Sequence, residues 1–371
     1  MTRRRDLTVH KFVHEAMTTV FEVFIAGKSK EYARQAARAA FDEVDRVERL
    51  FNRFDPSSEI SRVNRLRPGE TMRVGIETVE CLAVAARIQA ETMGAFDINY
   101  GAVRPLTGSV LMPAVPSPDG AAPPLARSVR LRAAPLHSGA VPPLTSSVRL
   151  PAVSPLGGAV PPLTRAVQTR AAPPLSGDGP PNLLSLVGLR MVSGGFEIER
   201  HGGRGGKKAP PLDLDLGAVG KGYALDRAVE VLKDWSILNA LVHSGTSTAV
   251  GIGPGPGSGH TGWPVGAASS WACPGAPGEV RLIDRALSGS GTEVKGDHII
   301  DPRTGRPARG HPAAWAAHPS AAVSDALSTA FMVMGTEEVR RSCRSHPEVW
   351  ALVIIPGKKC RIFNANAIAQ P

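Results

Sequence analysis

Asp213-Leu214-Asp215-Leu216-Gly217-Ala218-Val219-Gly220-Lys221-Gly222-Tyr223-Ala224-Leu225-Asp226 reads as a strand end, a glycine-punctuated turn and the start of a helix that carries a lysine. Such a junction brings backbone N–H groups and a cation to one place, where both can meet a phosphate. Neither G-x-x-x-x-G-K-[ST] nor G-x-G-x-x-G fits, so this is neither a Walker A loop nor the fingerprint of a doubly wound dinucleotide fold. The same glycines serve equally well to let two backbones pack closely.

Outward from this junction, helical and extended patterns mix without a strict alternation of parallel units. Lys221–Trp235 and Ser324–Met334 read as helices, the second with Ser324 as its N-cap. Leu238–Val242 and Trp350–Ile355 are apolar runs of strand length. On the N-terminal side, Val20–Ile25 is rich in β-branched and aromatic residues and alternates loosely, which indicates a strand. From Ser29 to Phe54, the residues Ala37, Phe41, Val44, Val47 and Phe51 recur at three- and four-residue spacing, the mark of an amphipathic helix. A further helix over Glu77–Met93 stops at Gly94, the residue type that best tolerates the left-handed backbone beyond a helix end. This mixture predicts an α+β fold of mixed sheets and helices.

A segment of different composition separates the two blocks. Glycines 101, 120, 139 and 158 stand 19 residues apart and open the phrases GAVRPLTGSV, GAAPPLARSV, GAVPPLTSSV and GAVPPLTRAV. Each unit holds several prolines, which remove backbone donors and stop a helix or a central strand. No unit contains Trp, Tyr or Phe with which to bury surface against its neighbour. We therefore expect 101–180 to be a Pro/Ala-rich, mainly disordered repeat insertion of polyproline type. It would interrupt a single domain whose two sequence blocks are 12–100 and 181–365.

Composition narrows the partners. At 371 residues, 42% hydrophobic and 20% charged, the chain can build an ordinary globular core. Its net charge of +10 is concentrated between Gly101 and Ser176, where seven arginines face the single acid Asp119 and no aromatic offers a base a stacking surface. No nucleic-acid partner is expected. There is no apolar run of the ~18 residues that a membrane span needs, and His10, Lys11, His14 and Glu15 break up the basic N-terminus. Neither membrane insertion nor a signal peptide is expected, and the location is read as cytoplasmic. Cys81, Cys273, Cys343 and Cys360 are scattered without a C-x-x-C pair, which predicts reduced structural thiols rather than a zinc site or a disulfide framework.

Four further stretches fall where elements change. Asp55–Asn64 follows the long helix and reads as a turn with side-chain caps. Gly94-Ala95-Phe96-Asp97 sets a sharp turn before an aromatic and an acid, a pair that can meet a flat heterocycle with hydrogen-bonding edges, or simply end a helix and begin a strand. In Gly296–Pro307, Pro302 and Gly305 bracket a tight turn, and His298 is of the residue type whose unperturbed pKa, about 6.5, suits general-base work at neutral pH. Asp325 and Thr329 lie four residues apart on one helical face, and such oxygen ligands suit Mg²⁺, which completes its shell with substrate phosphate oxygens. Each stretch also has an ordinary structural reading as cap, turn or core.

Together and in order, the five stretches resemble the ApbE family of FAD:protein FMN transferases. The resemblance is carried by Ala16-Met17-Thr18-Thr19, by Ser58–Asn64, by Gly94–Asp97, by Asp215–Asp226 and by His298–Gly305, with Thr18 and Thr246 standing where the family usually has glycine. It covers roughly 12–100 and 181–355. It implies that Met17, Phe54, Ala95, Phe96, Asp97, Asp215, Lys221 and Ile300 surround FAD. It further implies that the Ala218 carbonyl and the Asp325 and Thr329 side chains hold Mg²⁺ with Ser328 nearby, and that His298 is the catalytic base. The expected reaction is transfer of FMN from FAD to a Ser/Thr hydroxyl of an acceptor protein, with release of AMP. The same site with water as acceptor would be an FAD pyrophosphatase, and without turnover a flavin-binding protein.

Overall fold

The computed structural model describes residues 7–99, 183–203, 208–257, 261–267, 273–292, 299–355, 357 and 359–368. The repeat segment and His298 lie outside them. Strands β1 (Val9–Ala16) and β2 (Thr19–Ala26) form a hairpin and are followed by α1 (Lys30–Phe51), α2 (Glu59–Asn64), β3 (Thr71–Val74) and α3 (Ile76–Glu91). After the undescribed segment come α4 (Leu183–Leu186), β4 (Val187–Val192), β5 (Gly195–Arg200), α5 (Gly220–Asp234), β6 (Ala240–Ser244), β7 (Thr248–Ile252), β8 (Trp263–Ala267), β9 (Gly278–Leu282) and β10 (Arg285–Gly291). The chain closes with β11 (Ile300–Asp301), β12 (Arg306–Pro307), β13 (Ala313–His318), α6 (Ala321–Val333), α7 (Thr336–Ser345), β14 (Trp350–Ile355) and β15 (Lys359–Phe363).

Eight of these strands make one antiparallel sheet in the order β1-β2-β6-β7-β10-β13-β14-β15. Its middle is buried on both faces, which explains why its strands read as apolar runs with only loose alternation. Along β14, Ala351 and Val353 enter the larger core, whereas Trp350, Leu352 and Ile354 enter a second one beneath the β8–β9 ribbon. In β2, Phe21, Val23 and Ile25 face the first core and Phe24 and Ala26 the second. On the first face α1 packs on α5, α5 on α6, and α6 on β10 and β13. A three-stranded sheet, β3-β5-β4, and the small β11–β12 hairpin complete the α+β architecture. Among the described residues no helix is long and apolar enough to cross a membrane.

Element ends differ most from the sequence expectation in three places, and the helix expected over Glu77–Met93 runs Ile76–Glu91. The long helix stops at Phe51 rather than Phe54, since Asn52 leaves helical geometry (ψ 99°) and opens the turn that follows. Strand β6 begins at Ala240, not Leu238, because the Asn239 side chain is engaged with the Gly255 backbone and the Trp263 indole. Helix α6 is capped by Ser320, whose hydroxyl accepts from the Val323 N–H. Ser324, expected as the cap, is buried inside that helix and donates to the Ala316 carbonyl at 2.7 Å.

Candidate functional site

The Asp55–Asn64 stretch organises one wall. Ser58 caps α2 through the Ser61 N–H and donates to the Asn52 carbonyl, while Ser61 Oγ donates to the Arg53 carbonyl at 2.6 Å. These two hydroxyls fix the turn that presents Arg53 and Phe54. Arg53 then pairs with Asp213 (2.7 Å) and Asp215 (3.0 Å) and lies over the Phe54 ring. Phe54 itself is 86% exposed, an unusual place for a phenyl ring.

The extended run 211–215 is gripped from both sides by asparagines. Asn64 donates to the Leu214 carbonyl and accepts from its N–H; Asn99 accepts from Asp213 N–H and donates to the Pro211 carbonyl. The Asp215 N–H donates to the Ile98 carbonyl at 2.7 Å, so the Ala95–Asp97 turn is tied to the same run. Ala95 and Phe96 are buried. Asp97 Oδ1 accepts from Asn99 N–H, whereas its buried Oδ2 has no well-formed hydrogen bond among the described residues, with the Gln89 amide close by. Burial pushes the Asp97 carboxyl up to about 6.

Beyond Asp215, whose Oδ1 accepts from Gly217 N–H, the chain turns into α5. Lys221 Nζ donates to the Gly217 carbonyl at 2.7 Å, which keeps its charge at the helix start. The Gly222 N–H, one of the first-turn N–H groups of α5 that have no acceptor within the helix, donates to Asp325 Oδ2 at 3.1 Å. A Cβ on Gly222 would lie 2.3 Å from the Ala321 carbonyl oxygen, so glycine alone lets α5 meet the start of α6. The contact is reciprocal: Asp226 of α5 accepts from Ser320 Oγ and from the Ala321 and Ala322 N–H groups, while Asp325 of α6 accepts from α5. Two helix N-termini therefore cap one another at the head of the site.

Asp325 is 3% exposed, and burial raises its pKa while the Lys221 charge and the Gly222 N–H pull it down. Hydroxyls surround it. Thr248 lies 3.4 Å from Asp325 Oδ1 and 3.0 Å from Ser288; one turn along α6, Ser328 and Thr329 lie 2.9 and 3.4 Å from Ser290. Among the described residues no three His, Cys, Asp or Glu side chains converge, so a cation here would rest on one carboxylate with hydroxyl and carbonyl oxygens. That hard-oxygen set is compatible with Mg²⁺, which is commonly bound through one or two carboxylates plus substrate phosphates.

Two loops border the same end of the sheet. Met17 and Thr18 form the two-residue β1–β2 turn with φ of 49° and 57°, the positive values of a type I′ hairpin. A shallow depression of about 440 Å³ runs along Glu15–Val20 and Glu48. At the β6–β7 turn the positive φ (58°) falls on Gly245, not Thr246, so the threonine there carries no left-handed strain. Ile300 opens the β11–β12 hairpin, whose Arg303 bonds Asp301, Glu338 and the Val333 carbonyl and packs by Gly94.

The structure thus gathers Ala218, Lys221, Asp325 and Thr329 around the α5–α6 contact, and Phe54, Ala95–Asp97 and Asp215 along the neighbouring wall. Sequence reading missed Arg53, Asp213, Asn99, Asp226, Thr248 and Ser290. Asp226 had a signal, as the last acid of the quoted motif; Thr248 and Ser290 had none, because their partners lie far away in sequence.

A mixed fold with a polar, oxygen-lined site at the head of two helices is typical of enzymes and binding proteins for charged cofactors. A family model for the ApbE family matches residues 17–144 and 159–353, and the chain belongs to that family. An FAD:protein FMN transferase of Rhodobacter capsulatus is 36% identical over 143 residues, covering 35% of this chain and 25% of that protein. One of Treponema pallidum is 32% identical over 165 residues, covering 40% and 46%. The aligned part thus spans less than half the length of either relative. In fold, the chain is similar to the Pseudomonas stutzeri flavinyl transferase ApbE (TM-score 0.62, 20% identity, 98% of each chain covered). It is likewise similar to the ApbE protein of Thermotoga maritima (TM-score 0.62, 22% identity, 95% of this chain and 96% of that one).

Proposed function

We propose that this chain moves the FMN half of FAD onto a Ser or Thr hydroxyl of an acceptor protein, with Mg²⁺ as cofactor and AMP as the leaving group. Family membership and the names of the curated relatives support the reaction class. The observation that carries it is local: the buried Asp325 carboxylate accepts from Gly222 N–H at the start of α5 within electrostatic reach of Lys221, and one turn along α6 the Ser328 and Thr329 hydroxyls donate to the Asp325 backbone carbonyl. Asp325, Thr329 and the Ala218 carbonyl would hold Mg²⁺, which when bound neutralises charge on the pyrophosphate.

The chain's own groups supply the rest. Lys221 faces the phosphates as a fixed cation, the electrostatic contribution that phosphoryl transfer most requires. Phe54, Met17, Ala95–Asp97, Asp215 and Ile300 would hold the ring systems and ribityl chain. His298, on the segment just before β11, would take the proton from the acceptor hydroxyl as that oxygen bonds to the FMN phosphorus and the bond to AMP breaks.

The test is to incubate the protein with FAD, Mg²⁺ and an acceptor carrying exposed Ser/Thr sites and to measure the acceptor's mass. The expected result is addition of FMN with equimolar AMP, abolished by Asp325→Ala. Free FMN without labelled acceptor would overturn transfer in favour of hydrolysis. FAD bound with no AMP released would overturn both.

A further inference from the structure

Away from this site, two of the four cysteines meet. Cys273 opens the turn Cys273-Pro274-Gly275-Ala276, closed by the Ala276 N–H donating to the Cys273 carbonyl at 3.1 Å, with Gly275 at φ 85°. Proline followed by a glycine of positive φ is the pattern of a type II turn, so the position of Cys273 is well fixed. Cys360 stands on β15, the last strand of the large sheet, opposite Ile354. Both thiols reach the same acceptor, the Pro274 carbonyl, at 3.8 Å from Cys273 and 3.5 Å from Cys360. The Cys360 thiol is also within hydrogen-bonding reach of Cys273. Cys273 is 7% exposed and lies in the core beneath the β8–β9 ribbon, with Cys360 packed against it from the partly exposed side. Cys81 and Cys343 are buried in the other core.

We propose that Cys273 and Cys360 form a disulfide that fastens the turn ahead of β9 to the edge strand β15. The partly exposed Cys360 is the entry point. Its thiolate attacks one sulfur of a small disulfide such as glutathione disulfide, and one glutathione thiolate leaves. Cys273 then attacks the Cys360 sulfur of the mixed disulfide, and the second glutathione leaves. The two protein thiols are oxidised, one glutathione disulfide is reduced to two thiols, and the two thiol protons end on the glutathiones.

Three physical features favour a lasting structural bond over a rapid sensor. The contact closes a long stretch of chain, and closing a longer loop constrains the unfolded state more strongly. Burial and the adjacent Cys273 thiol push the Cys360 thiol up to about 11. A thiol of high pKa is little ionised at neutral pH, so exchange at Cys360 is slow, unlike that of a rapid sensor. The bond also ties β15, the last strand of the large sheet, to the turn ahead of β9. Such a bond persists in oxidising surroundings.

The full-length protein should be incubated with glutathione disulfide at mildly alkaline pH, its remaining thiols alkylated under denaturing conditions, and the digest mapped without reductant. The expected outcome is a peptide pair joined through Cys273 and Cys360, loss of two hydrogens from the intact mass, and alkyl groups on Cys81 and Cys343. The oxidised protein should melt about 5–10 °C higher than the reduced one, and dithiothreitol should reverse the gain. Cys273→Ser should stop at a glutathione adduct on Cys360 and show no stabilisation. Wild-type protein carrying glutathione or alkyl groups on both Cys273 and Cys360, with no joined pair, would overturn the proposal. The same loss of two hydrogens in Cys273→Ser would overturn it too, by placing the bond elsewhere.

Discussion

Replacing Gly222 with alanine adds one methyl group and puts the α5–α6 contact under direct test. The new Cβ would sit 2.3 Å from the Ala321 carbonyl oxygen, 2.6 Å from its carbon and 2.8 Å from Ala322 Cα. All three are backbone atoms, so no side chain can swing aside and the helices must separate by about 1 Å to restore ordinary van der Waals contact. Alanine is the better helix former by about 1 kcal/mol, which works in the variant's favour. Against it stand overpacking, at about 1–3 kcal/mol, and loss of a hydrogen bond to a buried carboxylate, at about 1.5–3 kcal/mol. The net expectation is destabilisation by about 3 kcal/mol, read as a lower urea midpoint with an unchanged slope. Because Asp325 loses its Gly222 partner, the proposed FMN transfer should fall even at temperatures where the variant is folded. Gly202→Ala is the control: no atom lies within 4 Å of its Cβ position, and it should be neutral or slightly stabilising. A Gly222→Ala variant as stable as Gly202→Ala would refute the close helix approach and the reciprocal capping built on it.

Asp97→Asn should stabilise the protein near neutral pH. The carboxyl titrates at about 6 in the folded chain against an ordinary 3.8. Between those values the folded state holds more protons, so stability present below pH 4 is lost as pH rises through 6. The variant should be more stable than wild type by about 2–3 kcal/mol at pH 7.5 and equal to it at pH 3.5, measured by urea unfolding. Asp226→Ala leaves Ser320 Oγ and the Ala321 and Ala322 N–H groups without their acceptor and should cost about 2–4 kcal/mol, with part of the loss recovered in Asp226→Asn. Thr18→Gly should raise stability by about 0.5–1 kcal/mol, because a β-branched residue at φ 57° is strained by more than glycine's extra chain entropy costs. Equal urea midpoints for Thr18→Gly and wild type would show that the turn is not left-handed at that residue.

Local signals carried much of the fold. The three- and four-residue spacing of Ala37, Phe41, Val44 and Val47 placed α1, and the apolar run Trp350–Ile355 coincides with β14. The loose alternation of Val20–Ile25 has its cause in a sheet covered on both faces, where both sides of a strand are apolar. The Ser324 cap failed because Ser320 and Ser324 are both serines near the helix start. What selects Ser320 is its bond to Asp226, on a helix that begins about a hundred residues earlier.

The quoted run Asp213–Asp226 by itself determined a turn and a helix start, because those depend on residue type and short-range spacing; the strand end it also suggested is an extended run with one isolated bridge, Leu214 to Asn99. It left open whether its glycines serve a ligand or packing. The tertiary structure shows that Gly222 serves packing, through the carbonyl of Ala321, and that the same approach brings the Asp325 carboxylate to its N–H. Only the fold could bring Thr248 and Ser290 to α6, or seat Cys273 beside Cys360 where sequence spacing indicated scattered thiols. Contacts between distant segments depend on the register of the sheet and the crossing of helices, and neither is encoded within any one stretch of chain.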